Sequence, residues 1–207
     1  MIVLLDTSEK LDVAEAELGL KVGQLITPLT RFTNRGWRFA IDNGAYSESN
    51  VAGFKSLLER ERPNMANCLF VAAPDVVGDA RRTGELFAFW HWQLPRHKVA
   101  FVAQDGQEHL PIPWKLIDAI FIGGSTAWKL SPQAAAIIHC AQWQGKWTHV
   151  GRVNTVERFK RFEALGVDSV DGSGISQYSH MREAIRLRDT SPQLALSLNG
   201  GGAHVAD

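Results

Sequence analysis

Residues 166–174 read Gly166-Val167-Asp168-Ser169-Val170-Asp171-Gly172-Ser173-Gly174. A short apolar stretch ends on a carboxylate, and the chain turns at once through glycine. This predicts a buried strand whose C-terminal end presents a polar group to a loop. A strand end holds a side chain rigidly, while the loop beside it leaves room for a ligand. Read alone, Asp171 before Gly172 is better taken as a simple turn. What decides the reading is that the same pattern recurs at one strand end after another.

Working outward, apolar runs predict strands at Ile2–Leu5, Gln24–Thr27, Arg38–Ile41, Cys68–Ala73, Lys98–Ala103, Ala119–Ile122 and Trp147–Val150, before the last at Asp171. The runs close on Asp6-Thr7-Ser8, Asp42-Asn43-Gly44-Ala45-Tyr46-Ser47, Pro74-Asp75, Gln104-Asp105-Gly106, Gly123-Gly124-Ser125-Thr126 and Gly151-Arg152-Val153-Asn154-Thr155. Between them, apolar spacing and end signals predict helices over Glu9–Leu18, Val51–Arg60, Ala80–Trp92, Gln133–Trp143 and Val156–Leu165, and over Tyr178–Arg188 after the last strand. Thr7 and Ser8 are expected to cap the first helix, Pro132 to open the fourth, and Thr155 and Gly166 to bound the basic one. The stretch through Pro111 and Pro113 reads as loop, with at most a turn of helix at Trp114–Ile117.

Strands alternating with helices require crossover connections and hence a parallel sheet. Eight such strands close a (β/α)8 barrel, whose strand C-terminal ends converge on one site. An open doubly wound sheet is the alternative, but it would gather polar groups at one switch point, whereas here nearly every strand end carries them. The expected fold is therefore a compact (β/α)8 TIM-type barrel with trimmed or irregular helices. A single catalytic domain is expected over residues 1–196, with a mobile tail at 197–207, where three glycines adjoin.

Composition narrows the partners. The chain has 207 residues, enough for one sizeable core, with Lys plus Arg and Asp plus Glu each totalling 22. No global basic field advertises nucleic acid, so any phosphate contact must be local. Cys68 and Cys140 lie far apart in apolar surroundings, which suits reduced core thiols and excludes a zinc-ligand spacing. The first residues, Met1-Ile2-Val3-Leu4-Leu5-Asp6, lack a basic segment and a long apolar run, and a cytoplasmic protein is expected.

The groups expected to converge are Asp42, Asn43, Asp75, Asp79, Gln104, Asp105, Gly123, Gly124, Arg152, Asp168 and Asp171. Carboxylates without a well-placed histidine argue against a serine or cysteine hydrolase. His149, inside a strand, reads as a core residue or one that supports the site from behind. Carboxylates alone can hold a hard cation, which leaves a metal-dependent hydrolase open. Paired carboxylates also suit glycosidic chemistry, one attacking or shielding an oxocarbenium-like centre and the other moving a proton. Amide and carboxylate side chains together match a nucleobase edge, and adjacent glycines let backbone approach a planar ligand.

At this point several segments resemble a known family. Ile41-Asp42-Asn43-Gly44-Ala45-Tyr46 resembles the Asp-Ser-Gly-Gly-Tyr/Phe segment of the tRNA-guanine transglycosylases, and Val102-Ala103-Gln104-Asp105-Gly106 their Val-Gln-Gly-Gly strand end. Ile122-Gly123-Gly124-Ser125 is similar to their Gly-Gly-Leu loop. His149-Val150-Gly151 and Gly166 to Asp171 follow, in the same order, their Met-Gly-Val-Gly and Asp-Met-Phe-Asp segments. The likeness runs from Ala40 to Gly174 and is greatest to the shorter phage and bacterial 7-deazaguanine DNA transglycosylases, through Pro74-Asp75-Val76-Val77-Gly78-Asp79 and Gly151-Arg152-Val153-Asn154-Thr155.

The resemblance implies a pentosyltransferase that exchanges guanine in DNA for a free 7-deazaguanine base, with no cofactor and no metal. It implies Asp171 as the nucleophile at C1′ and Asp42 as general acid and base. Asp75, Gln104, Asn43 and the backbone at Gly123 and Gly124 would form the base pocket. DNA is the expected partner and tRNA less so, since the family's cysteine-rich zinc site is missing; Asn43-Gly44 in place of Ser-Gly bears on the shape of the pocket. A homodimer or an accessory nucleic-acid-binding protein would supply further surface. Arg152, Lys129 and Arg158 are the expected contacts to the nucleic-acid backbone; the Arg158, Lys160, Arg161 cluster is alternatively a solvated helix face. The competing functions are a glycosylase that hydrolyses the same intermediate and a non-catalytic nucleobase or nucleic-acid binding module.

Overall fold

Side chains alternate across a strand, so a strand buried on both faces is apolar at nearly every position. In the computed structural model, which describes residues 1–6, 10–45, 51–94 and 97–188, β1 (Ile2–Leu5) meets that condition. Val3 and Leu5 pack outward with the helices, while Leu4 points to a second cluster with Leu25, Ala40, Phe70, Ala72, Ala100, Val102, Ala119 and Phe121. That second cluster is the filled interior of a barrel, and the first is the layer between barrel and helices.

The remaining strands are β2 (Val22–Ile26), β3 (Phe39–Ile41), β4 (Cys68–Ala72), β5 (Val99–Ala103), β6 (Ala119–Ile122), β7 (Trp147–Val150) and β8 (Ser169–Asp171). All pairings are parallel and sequential, and β1 pairs with β8, with Leu4 opposite Asp171, to close the ring. The sheet is therefore the eight-stranded parallel barrel that the strand pattern predicts, rather than an open sheet. One irregularity falls between β3 and β4, where Phe39 to Ile41 is spanned by Cys68 to Val71, and the extra residue brings both Leu69 and Phe70 into the interior cluster.

The helices are α1 (Leu11–Leu18), α2 (Val51–Glu61), α3 (Ala80–Trp90), α4 (Thr126–Lys129), α5 (Pro132–Trp143), α6 (Val156–Ala164), α7 (Ser173–Gln177) and α8 (Ser179–Arg186). Their starts follow capping chemistry: Asp79, Ser125, Ser131 and Thr155 each accept a backbone N–H three residues on, and Pro132 follows its cap. The expected C-terminal helix is α8, and the extended backbone at Tyr178 separates it from the short α7, which was not expected. The short α4 escapes sequence reading, since four residues show no periodicity. The expected cap at Thr7 and Ser8, the tyrosine and serine at 46 and 47, and the tail at 197–207 lie outside the described residues.

Trimming is real at two connections. Between β5 and β6 only two short 3-10 turns, Gln107–His109 and Trp114–Leu116, replace a helix. Between β2 and β3 there is none, and side chains hold the loop instead. The fully buried Gln24 donates to the Phe32 carbonyl (2.9 Å) and accepts from the Asn34 N–H (2.8 Å). Glu61 accepts from Thr33 (2.7 Å), Arg60 and Asn64. Burial alone would raise its pKa, but these donors outweigh it and hold the carboxyl below its ordinary value. No described helix is long and apolar enough to cross a membrane.

Candidate active site

A cavity of about 410 Å³ opens where the strand ends converge. Asp6, Thr27, Asp42, Asn43, Asp75, Gln104, Gly123, Arg152, Asn154, Asp171 and Ser173 line it, over a floor of Leu25, Val102 and Phe121. These come from the ends of β1, β2, β3, β4, β5, β6, β7 and β8, so every strand contributes to the one mouth.

Asp171 is the last residue of β8 and is almost fully buried. Its Oδ2 bonds His149 Nε2 at 3.0 Å, and its Oδ1 accepts the Arg152 N–H at 3.0 Å. Arg152 adopts φ 59°, a left-handed conformation that costs a non-glycine residue about 1 kcal/mol. That turn aims its N–H at the carboxylate, while the Asp171 carbonyl accepts from Val153 N–H. The Arg152 guanidinium lines the cavity and donates to the Gly124 carbonyl.

Asp42 follows β3 and accepts the Gly44 N–H at 2.7 Å. It keeps contact with the cavity yet is enclosed by protein, and burial pushes its pKa up from 3.8 to about 7. The Gly44 bond opposes that rise, and the neighbouring carboxylates Asp171 and Asp75 add to it. Asp75 is raised as well, by burial, against hydrogen bonds from Asn43 and Gln104. Its Oδ1 accepts from Asn43 Nδ2 (2.7 Å) and its Oδ2 from Gln104 Nε2 (2.6 Å), leaving lone pairs on each oxygen for a ligand N–H.

Gln104 and the glycines differ from expectation in how they are used. Gln104 Oε1 accepts two backbone N–H groups, from Gly78 (2.9 Å) and Gly124 (2.8 Å), so this oxygen braces two loops rather than reading a base. The Gly123 N–H is likewise committed, to the Ala103 carbonyl (2.9 Å). Gly123 lines the cavity because it must be bare: a Cβ there would stand 2.7 Å from Gln104 Nε2. Gly124, at φ +67°, passes its carbonyl to Arg152.

Lys129 corrects the sequence reading. Instead of facing a phosphate backbone it is buried, with its ammonium on the Gly151 carbonyl. Burial lowers its pKa from 10.5 to about 8, helped by nearby Arg152. The reason is α4, whose unpredicted turn points the side chain into the barrel wall. Arg158 is half-buried on α6 and does not line the cavity. Asp79 caps α3, and Asp105 binds Ser125 through its N–H (2.6 Å) and hydroxyl (2.5 Å); neither lines the cavity. Asp168 accepts from the N–H and hydroxyl of Thr148, a purely structural role. His149 does support the site from behind, through Asp171. Asp6, Thr27, Asn154 and Ser173 also line the cavity, beyond the residues the sequence pattern singles out, although Asp6 and Asn154 stand in strand-end clusters that the apolar runs delimit.

No family model matches the chain, and no curated protein matches it. Among solved structures it is similar to a Silicibacter pomeroyi protein assigned as a glycerophosphoryl diester phosphodiesterase, at 13% identity and a TM-score of 0.45. That match covers 86% of this chain and 55% of the other, so the chain spans about half of that protein's length.

Proposed function

We propose that the chain is a base-exchanging transglycosylase that replaces guanine in DNA with a 7-deazaguanine base. The observation that carries this reading is the pairing of two unlike carboxyl groups in one cavity. Asp171 is fixed between the Arg152 N–H and the His149 ring, as a nucleophile should be, and burial pushes Asp42 up to about 7, suited to giving and taking a proton at neutral pH. The resemblance of Ala40 to Gly174 to the 7-deazaguanine DNA transglycosylases points the same way.

In the first step an Asp171 oxygen attacks C1′ as the bond from C1′ to the guanine nitrogen breaks, and Asp42 supplies the proton that the departing base takes. In the second, Asp42 accepts the N–H proton of the incoming base, whose nitrogen attacks C1′ and returns the electron pair to Asp171. Two displacements retain configuration. Asp75, with free lone pairs on both oxygens, accepts from the base N–H groups, and Asn43 and Gln104 hold it in place. Arg152 in the cavity wall is the best-placed cation for a phosphate.

The test incubates the protein with duplex DNA, single-stranded DNA and tRNA, with and without a mass-tagged 7-deazaguanine base. Tag incorporated into DNA is the expected result. Abasic sites without tag would make it a glycosylase, tag in tRNA alone would move the substrate, and no reaction would leave a binding module.

A further inference from the structure

Three hydrogen bonds run through the barrel interior toward the cavity. Trp147 Nε1 donates to Ser169 Oγ (2.9 Å), Ser169 Oγ bonds His149 Nδ1 (2.9 Å), and His149 Nε2 bonds Asp171 Oδ2 (3.0 Å). The register makes this possible. His149 and Ser169 are directly paired across β7 and β8, and alternation puts Trp147, His149, Ser169 and Asp171 on the inner face. His149 and Ser169 are completely buried, and the imidazole is wedged against the rings of Phe70 (5.0 Å between centroids) and Phe121 (4.4 Å).

The donor and acceptor inventory fixes the protons. An indole N–H only donates, so the Ser169 hydroxyl accepts from Trp147. Asp171, as the nucleophilic carboxylate, only accepts, so His149 Nε2 carries the ring proton, and the Nδ1 of the neutral ring accepts the Ser169 hydroxyl proton. The proton of the neutral ring therefore sits on Nε2 and points at Asp171.

We propose that His149, held as this Nε2–H tautomer by Ser169 and Trp147, is a positioning residue that orients Asp171 and stabilises it as a leaving carboxylate. The proposal rests on Asp171 being the nucleophile. When the bond from C1′ to Asp171 breaks in the second step, its electron pair returns to the carboxylate, where the His149 N–H and the Arg152 N–H receive the charge. The same donors bind the glycosyl ester less strongly, because its oxygens carry no full charge. Loss of the His149 donor should therefore prolong the covalent intermediate rather than prevent its formation.

Two measurements test this. In ligand-free, 15N-labelled protein, long-range proton–nitrogen correlations should show His149 protonated at Nε2 and bare at Nδ1; a proton on Nδ1 alone would overturn the relay whatever the protein's activity. Next, wild type, His149→Phe and His149→Gln are loaded with guanine-containing DNA, chased with 7-deazaguanine base, quenched and weighed intact. The Phe variant keeps the ring packing but no donor, and its adduct should persist roughly 10- to 100-fold longer, as expected for one charge-assisted hydrogen bond. The Gln variant keeps an N–H near the Nε2 position and should recover most of the rate. Should His149→Phe not fold, Ser169→Ala takes its place, with a smaller lengthening expected. Equal adduct lifetimes in all variants would overturn the positioning role. No adduct in the wild type would sink the nucleophile reading and the departure role with it, while the tautomer result would still decide the relay.

Discussion

Asp42→Asn separates stability from chemistry. Burial raises the Asp42 pKa from 3.8 to about 7, so the folded protein holds this proton about 3 units more tightly than the unfolded chain. A raised carboxyl pKa destabilises the fold as pH climbs: no cost arises below the unfolded value, a growing one accrues between about 4 and 7, and a constant one remains above. At 1.36 kcal/mol per unit the plateau is about 4 kcal/mol, an upper value because the carboxyl touches cavity water. Asparagine keeps an oxygen for the Gly44 N–H and carries no charge. The variant should therefore match wild type at pH 4 and exceed it by up to about 4 kcal/mol at pH 8.5, read by urea unfolding at both pH values. Base exchange in the same variant should fall about 100- to 10,000-fold, the usual worth of a general acid or base. A stability difference between variant and wild type that does not grow from pH 4 to pH 8.5 would refute the claim that burial raises Asp42.

Other predictions follow from the same geometry. Wild-type exchange should decline above about pH 7, as Asp42 loses the proton that the departing base needs, and a flat rate from pH 6 to pH 9 would remove Asp42 as the acid. Asp171→Ala should abolish exchange while circular dichroism shows a folded barrel; undiminished turnover would dismiss it as nucleophile. Gly123→Ala would press a methyl against Gln104 Nε2, 2.7 Å away, and strain the brace under Asp75, so base affinity should drop with little loss of helix content. In salt titrations of DNA binding, Arg152→Gln should lower the slope by about 1, whereas Lys129→Met should leave it unchanged because that ammonium is buried on Gly151. An equal change in both would put Lys129 back at the interface.

The sequence by itself pointed to the barrel, because strands buried on both faces read as nearly continuous apolar runs that stop where polar residues begin. That pattern marks Phe39–Ile41 before Asp42 and Ala119–Ile122 before Gly123, and the recurrence of polar strand ends favours a closed barrel over an open sheet. It also determined that Asp42, Asp75, Gln104, Arg152 and Asp171 share one mouth. Only the tertiary structure decided what each does there. Whether a carboxamide reads a ligand or braces a loop depends on which backbone N–H groups face it, and for Gln104 these come from Gly78 and Gly124, 26 and 20 residues away. Whether a lysine meets solvent depends on where a four-residue helix points it, which no periodicity in Thr126–Lys129 reveals. The partnership of His149 with Asp171 needs the register of β7 on β8, a quantity fixed by closing the whole ring rather than by either strand's own residues.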